Sequence, residues 1–409
     1  MGADYQPQDR MSLWWLGEPA APRLVGSLLL ADSVRKVGLQ YAPEWLARGT
    51  GGFALSEDLP LQTGLFLPPE RDMAAGAVDD ARPDRWGERV IRLIDRPARL
   101  SLLEYLYFAG DDRAGALGVS LDPNAYRPRE RGGVPIFAGL DQMHEAVRRV
   151  LAGDKVPEAQ ARLLRPGASF GGMRPKSLMQ MDGWPWVVKF ADSTEMDTPL
   201  VEHATMRLAQ RCGIRVADTR ALPVAGGHAV AVRRFDRVDG RRLHVLSAHV
   251  ALRAAGEEMG YPELAQLLRR LGRPAQIKAQ QEELFRRMVF NILIDNTDDH
   301  EKNHALLRGE DGHYELTEAY DIVPSAQGLG YQQLRVGHAA TESTLDNALS
   351  ECKAFGLGRD TAVAIVRDIC RVVDGWRDFF RTQGVTQRDL DMLAQYIDGA
   401  RLAGQRTEV

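Results

Sequence analysis

The sequence predicts an α+β protein in two parts, and three observations carry that prediction. Residues 11 to about 66 hold short apolar runs broken by glycine ("SLWWLGE", "RLVGSLLLA", "KVGLQYAPEWL", "GGFALSEDLPL"), the pattern of strands and turns. Residues 84 to 108, and most of the chain after about 247, carry apolar side chains at helical spacing. Between these regions, two further β-like stretches flank one helix. The expected organisation is an α+β N-terminal domain over residues 1–150 and a second domain over 151–409. The latter comprises a small β-containing lobe at about 160–245 and a helical lobe at about 246–409.

In "DRWGERVIRLIDRPARLSLLEYLYF", Pro97 separates two helices, because a proline inside a helix removes a hydrogen bond and clashes with the preceding turn. "LDPNAYRPRERGGVP" (121–135) has the composition of a linker, and "LDQMHEAVRRVLAG" (140–153) reads as an amphipathic helix. A glycine turn, "SFGGMRPKS", precedes a strand-like run, "GWPWVVKFAD". The helix "TPLVEHATMRLAQRCGI" starts after Thr198-Pro199 and stops at Gly213. "ALPVAGGHAVAVRRFDRV" is a pair of strands about a glycine turn. Within the helical lobe, "NHALLRGEDGHYELTEAYDIVPS" reads as two short strands around "EDG".

A chain of 409 residues buries a core without help from disulfides or metal. Hydrophobic residues make up 44% and charged residues 26%, and no apolar run is long enough to span a bilayer. The net charge of -4 is a sum of closely mixed signs, which steers no nucleic acid globally but leaves room for a local basic face. "MGADYQPQDR" lacks the regions of a signal peptide, and Cys212, Cys352 and Cys370 are odd in number and far apart. A cytoplasmic protein with no membrane partner is expected.

Residues 300–304, "HEKNH", match the two-histidine zinc signature of metalloproteases, which requires His300, Glu301 and His304 to ride on one helix. The neighbours oppose that reading. "DNTDD" upstream favours turns, and the hairpin downstream stops a helix within a turn or two. Counted from Asp298, the same loop has the spacing D-x-x-x-x-N of a kinase catalytic loop, with Asn303 as its asparagine. In such a loop the aspartate accepts the proton of the attacking hydroxyl and the asparagine holds magnesium. Two strands then lead to Asp321, where a second metal aspartate belongs; Asp299 misses the spacing by one.

A kinase also needs a glycine-rich loop, a strand lysine and a helix glutamate upstream, in that order. Gly171 and Gly172 allow backbone N–H groups to approach phosphate, with Arg174 and Lys176 as charge partners. Met173, Arg174 and Pro175 intervene before Lys176, so this is not a Walker loop. Lys189 lies inside the apolar run "WVVKF", where its charge needs an anion. Glu202, read as lying in the first turn of the following helix, is placed either to pair with Lys189 or to serve as an N-terminal acid.

Over nearly its whole length the chain resembles the HipA family, the serine/threonine-kinase toxins of bacterial type II toxin–antitoxin modules. The resemblance rests on "ALSEDLPL", "RPDRWG", "SFGGMRPKS", "VVKF", "VEHATMRLAQRCGI", "RRFDR", "FNILIDNTDDHEKNHALL" and "LTEAYDIVPS". It implies a protein-kinase-like bilobal fold behind the N-terminal domain, with ATP and Mg2+ as cofactors. Asp298 would be the base, and Asn303 and Asp321 the magnesium ligands. Lys189 would contact the α- and β-phosphates, and the loop from Gly171 to Lys176 would cover the phosphates. Arg233, Arg234 and Phe235 would form the hinge whose backbone meets adenine, with His300 and Tyr320 lining the nucleotide pocket. Ser169 matches the family's autophosphorylation site. The resemblance further implies a helix-turn-helix, HipB-like antitoxin, with which the chain forms a heterotetramer on operator DNA, and a protein target such as an aminoacyl-tRNA synthetase. Two rival readings are a kinase of a lipid or small molecule, and a catalytically weak DNA-bound corepressor.

Overall fold

The computed structural model describes residues 5–47, 49, 51–167 and 172–408. They divide into two compact units, Met1–Asp192 with Arg233–Ala255, and Ser193–Val232 with Gly256–Val409.

The first unit is built on a six-stranded sheet ordered Leu65–Phe66, Lys36–Tyr41, Arg23–Ala31, Arg10–Trp15, Leu117–Ser120, with Met73–Ala74 pairing parallel to the start of Lys36–Tyr41. Register explains its two faces. Met11 opposes Leu28, which opposes Leu39, and all three are buried. One residue along, Ser12, Ser27 and Gln40 oppose one another on the other face. This period of two is what the alternating apolar runs encode.

Under the apolar face runs the helix Leu102–Phe108, every residue of which is buried. Ser101 and Glu104 form a capping box, a feature worth about 1 kcal/mol. Glu104, itself buried, also holds Arg99 at 2.9 Å and the Tyr5 hydroxyl at 2.7 Å. Pro97 does separate the helices. The preceding one widens into a π turn over Ile91–Asp95 and ends at Arg96 in the left-handed region, φ 48°. The helix Leu140–Ala152 buries Leu140, Met143, Ala146, Val147 and Val150, a single stripe, and stops at Gly153.

One strand expectation is corrected. Residues 51–60, "GGFALSEDLP", form no strand. Side chains satisfy this segment in place of a ladder: the Leu55 N–H donates to the Tyr41 hydroxyl, the Ser56 hydroxyl to Asp58, and the Leu59 N–H closes a turn onto the Ser56 carbonyl. Serine and aspartate compete with strand pairing in this way. The first unit also contains the antiparallel pair Lys176–Met181 and Trp184–Phe190.

The second unit is mainly helical. Its helix Thr198–Arg211 is capped by Asp197, so Glu202 lies in the second turn, not the first, and is 1% exposed. That burial weakens the reading of Glu202 as a mere N-terminal acid, since the dipole effect fades beyond the first turn. The hairpin Thr219–Val224 with Gly227–Arg233 follows as expected. Ile277–Leu293 runs through the centre of the unit with Leu284, Phe285, Met288, Phe290 and Ile292 fully buried. It feeds directly into the polar loop 295–304. Among the described residues, no helix is long and apolar enough to cross a membrane, and the three cysteines are buried and unbridged.

Candidate active site

The polar loop begins where Asp295 adopts φ 56° and ends the long helix. Aspartate tolerates the left-handed region better than most residues, and here its carboxylate is fully used. Oδ2 accepts from the Gly328 N–H at 3.0 Å, Oδ1 pairs with Arg401 at 2.9 Å, and the Asp295 carbonyl accepts from the Ser325 N–H at 2.9 Å. The Ser325 hydroxyl then accepts from the Thr297 and Asp298 N–H groups at 2.8 and 3.1 Å. The backbone of Asp298 is thus pinned while its side chain is exposed.

After Asp298 the chain does not enter an α-helix. His300 is extended, Glu301–Asn303 makes one 3-10 turn, and His304 is extended again. The turn is closed by His300, whose Nδ1 accepts from the Lys302 N–H at 3.2 Å and whose carbonyl accepts from the Asn303 N–H at 2.9 Å. Asn303 is brought back towards Asp298: its Nδ2 lies 3.5 Å from the Asp298 carbonyl, the outer limit of a hydrogen bond. The hairpin Ala305–Arg308 with Tyr314–Leu316 carries the chain out and back. The Tyr320 hydroxyl donates to the Lys302 carbonyl at 2.8 Å, which ties the returning segment to the loop. Asp321 comes next, at φ 58°. A non-glycine residue held in this region signals a backbone fixed by its surroundings, and such positions cluster at functional sites.

The zinc reading fails on geometry. His304 is buried and directs Nε2 at Asp299 Oδ2, 2.8 Å away; its Nδ1 has no hydrogen-bond partner among the described residues. The same Asp299 oxygen accepts the Tyr261 hydroxyl, and Asn291 donates to Tyr261 at 3.2 Å. Among the described residues no cluster of three His, Cys, Asp or Glu is placed to hold a metal. Burial would raise the Asp299 carboxyl, but the His304 ring and the hydrogen bonds from His304 and Tyr261 outweigh it and hold the carboxyl below its ordinary value. Burial, with Asp299 beside it, pushes the Tyr261 phenol well up. Adjacent acids therefore part company: Asp298 faces solvent, and Asp299, 2% exposed, is an internal brace.

In the first unit, Lys189 stands directly opposite Lys176 in the strand pair. Both are buried, at 7% and 2% exposed. Opposed like charges destabilise a sheet, and Lys176 is paired with Asp84, whose Oδ2 lies 2.8 Å from Lys176 Nζ. Lys176, expected as the last residue of the phosphate-covering loop, is the first residue of the strand Lys176–Met181. The segment "RPDRWG" holds this strand start by one further contact and fixes Asp84 itself by another. The Trp86 indole N–H donates to the Lys176 carbonyl at 2.8 Å, and Asp84 caps its own helix through the Gly87 N–H at 2.8 Å. Neither Asp84 nor Trp86 was assigned a role from the sequence, because no local spacing links residues about ninety positions apart.

Of the glycine loop, Gly172 is described, at φ 98°, and a Cβ there would sit 3.0 Å from Lys176 Nζ. Met173 is largely exposed, Arg174 half-buried and Pro175 buried, with the Pro175 carbonyl accepting from the Phe190 N–H at 2.9 Å. Ser169 and Gly171 lie outside the described residues. The hinge candidates begin at the last strand residue, Arg233. The Arg233 guanidinium stacks 3.8 Å from the Trp184 ring, the Arg234 N–H donates to the Pro185 carbonyl at 3.1 Å, and Phe235 is half-buried.

Residues 168–376 match the family profile described as the HipA-like C-terminal domain, and residues 20–120 match that of the HipA N-terminal domain. The chain belongs to the HipA family. A Sinorhizobium fredii protein named as a candidate kinase, Y4mE, is 26% identical to this HipA-family chain over 431 aligned positions, 96% of this chain and 94% of that protein. A candidate kinase of Haemophilus influenzae is 28% identical over 139 residues, 30% of this chain; the match spans only 40% of that relative's length. The fold is that of HipA in a solved structure from Shewanella oneidensis containing HipA, HipB and operator DNA, with a TM-score of 0.66, 18% identity and 97% of both chains covered.

Proposed function

We propose that this HipA-family chain is an ATP-dependent serine/threonine protein kinase and the toxin of a type II toxin–antitoxin module. One observation supports the chemistry above the rest: Asp298 is exposed on a backbone pinned by Ser325, Asn303 turns back towards it, and Asp321 follows on a segment tied to the same loop. Asp298 orients the acceptor hydroxyl and takes its proton as the bond from that oxygen to the γ-phosphorus forms and the bond from phosphorus to the β,γ-bridging oxygen breaks, releasing ADP. Lys189, buried on its strand, balances phosphate charge. The loop from Gly172 to Arg174 covers phosphate with backbone N–H groups and the Arg174 charge, and the segment Arg233–Phe235 meets the adenine. His300 and Tyr320 line the nucleotide pocket. Lys176 acts through Asp84, holding the strand that carries the loop.

The donor set fits magnesium. Asn303 and Asp321 are two hard oxygen donors, and this ion keeps waters and phosphate oxygens as its remaining ligands, so no all-protein cage is needed. When bound, magnesium neutralises charge on the phosphates. Transfer of labelled phosphate from ATP should require added magnesium and survive a zinc-selective chelator. Stoichiometric zinc in the purified protein, with activity lost on its removal, would contradict this.

Family membership, and the likeness to a HipA fold solved with HipB and operator DNA, support a helix-turn-helix antitoxin as partner. A heterotetramer on operator DNA and an aminoacyl-tRNA synthetase as target belong to the same proposal. So does an N-terminal domain over residues 1–150, which limited proteolysis would test. Self-modification at Ser169 is also proposed. A phosphate there adds about -1.5 to -2 charges close in sequence to the phosphate-covering loop, and repulsion should weaken ATP binding. Incubation with ATP and magnesium should place phosphate on Ser169, read by mass spectrometry, and Ser169→Ala should remain active for longer. An unmodified Ser169 in a preparation that phosphorylates other proteins would remove the self-control and leave the kinase.

A further inference from the structure

The segment that follows the last strand of the second unit's hairpin does not stay with that unit; residues 233–255 pack with residues 1–192. A buried charged cluster explains why. Asp236, 1% exposed, takes Arg234 Nε on Oδ1 at 2.8 Å, and Arg234 Nη2, Arg237 Nη1 and the Gly115 N–H on Oδ2 at 2.6, 2.7 and 2.7 Å. Two cations share one carboxylate, and the remaining guanidinium donors need acceptors away from water. The N-terminal domain supplies them as backbone carbonyls. Arg234 reaches Asp112 and Arg113 at 2.7 and 3.0 Å, and Arg237 reaches Gly115 and Arg113 at 3.0 and 2.8 Å. Gly115 aims its N–H at the carboxylate from φ 75°, a conformation that favours glycine. The partners lie 121 to 124 residues apart in sequence.

We infer that Asp236 is a positioning residue for nucleotide binding: through Arg234 and Arg237 it locks the adenine-contact segment Arg233–Phe235 onto the loop Asp112–Gly115, which makes the N-terminal domain part of the nucleotide site's framework. The inference rests on the hinge role proposed above for Arg233–Phe235. A bidentate Arg–carboxylate fork fixes orientation as well as distance, so the peptide groups of Arg234 and Phe235 are held whether or not nucleotide is present. Loss of the fork frees them. Adenine should then lose its contacts, while the phosphates keep theirs.

The test compares two probes, magnesium ATP and magnesium tripolyphosphate, which lacks adenine. With Asp236→Asn, which can still accept from the Gly115 N–H, ATP affinity should fall roughly tenfold and tripolyphosphate affinity should stay unchanged. Should that variant fold poorly, Arg234→Lys serves, since it keeps the charge beside Asp236 but cannot reach both carbonyls of Asp112 and Arg113. Arg242→Ala is the structural control. Arg242 joins the same two regions through Asp111 at 2.6 Å, so its loss should lower the melting temperature and leave the ratio of the two affinities as in wild type. Equal weakening for both probes, or none for either in a folded variant, overturns the inference. A wild-type chain that binds neither probe overturns the kinase reading and this inference with it.

Discussion

Asp298→Asn should lower the rate of phosphoryl transfer by about 10²–10⁴-fold, the range expected for loss of a positioned base, while ATP affinity stays close to wild type. The asparagine keeps the size of the side chain and the backbone bonds to Ser325, which come from main-chain N–H groups. It removes only the acceptor for the substrate proton. Single-turnover kinetics and equilibrium ATP binding, measured on the same protein, separate the two effects. Unchanged turnover would remove Asp298 from the base role, and lost ATP binding would show that the change disturbed the loop.

Asp299→Ala should cost stability instead, about 3–5 kcal/mol, the range for breaking a buried pair from one side. His304 Nε2 and the Tyr261 hydroxyl would be left facing a cavity, because both donate to the same Asp299 oxygen. Asp299→Asn is milder, since an amide oxygen at that position accepts from both. The pH dependence follows from the lowered carboxyl. A carboxyl held below its unfolded value, which is about 4, stabilises the fold above that value, and the contribution is lost as pH falls through the folded value. Thermal melts of wild type and Asp299→Asn should therefore converge in acid and separate towards neutral pH. Parallel curves would mean that the Asp299 charge contributes nothing.

The contrast between these neighbours shows how far the residues alone could be read. The hairpin between Asn303 and Asp321 was legible because it is a local pattern, and the structure places it at 305–316. Rejection of the metalloprotease reading was legible too, since "DNTDD" disfavours a helix and the chain makes a single 3-10 turn. The brace under the loop was not legible. It joins Asp299 to Tyr261, 38 residues upstream, and Asp295 to Arg401, 106 residues downstream. Nothing in local periodicity marks such pairs.

The same limit applies to the fold. Strands built on short apolar runs, such as Arg10–Trp15 and Arg23–Ala31, were read correctly, whereas "GGFALSEDLP" was misread because its apolar residues lie in turns. Lys176 looked like a loop cation because it follows "GGMRP". Asp84, 92 residues away, is what makes it a strand residue with a partner. The segment after Arg233 looked like the end of a hairpin, and its attachment to Asp112–Gly115 depends on carbonyl acceptors that a side-chain pattern does not display.

The most direct test of the central claim follows the phosphate itself. Purified protein is incubated with ATP labelled at the γ-phosphate, magnesium and a bacterial protein extract, and the label is traced to phosphoamino acids and to extracted small molecules. The account predicts label on serine or threonine of protein, and none when Asp298→Asn replaces the wild type. Label confined to lipids or metabolites, or no transfer at all from a preparation that binds ATP, would contradict it.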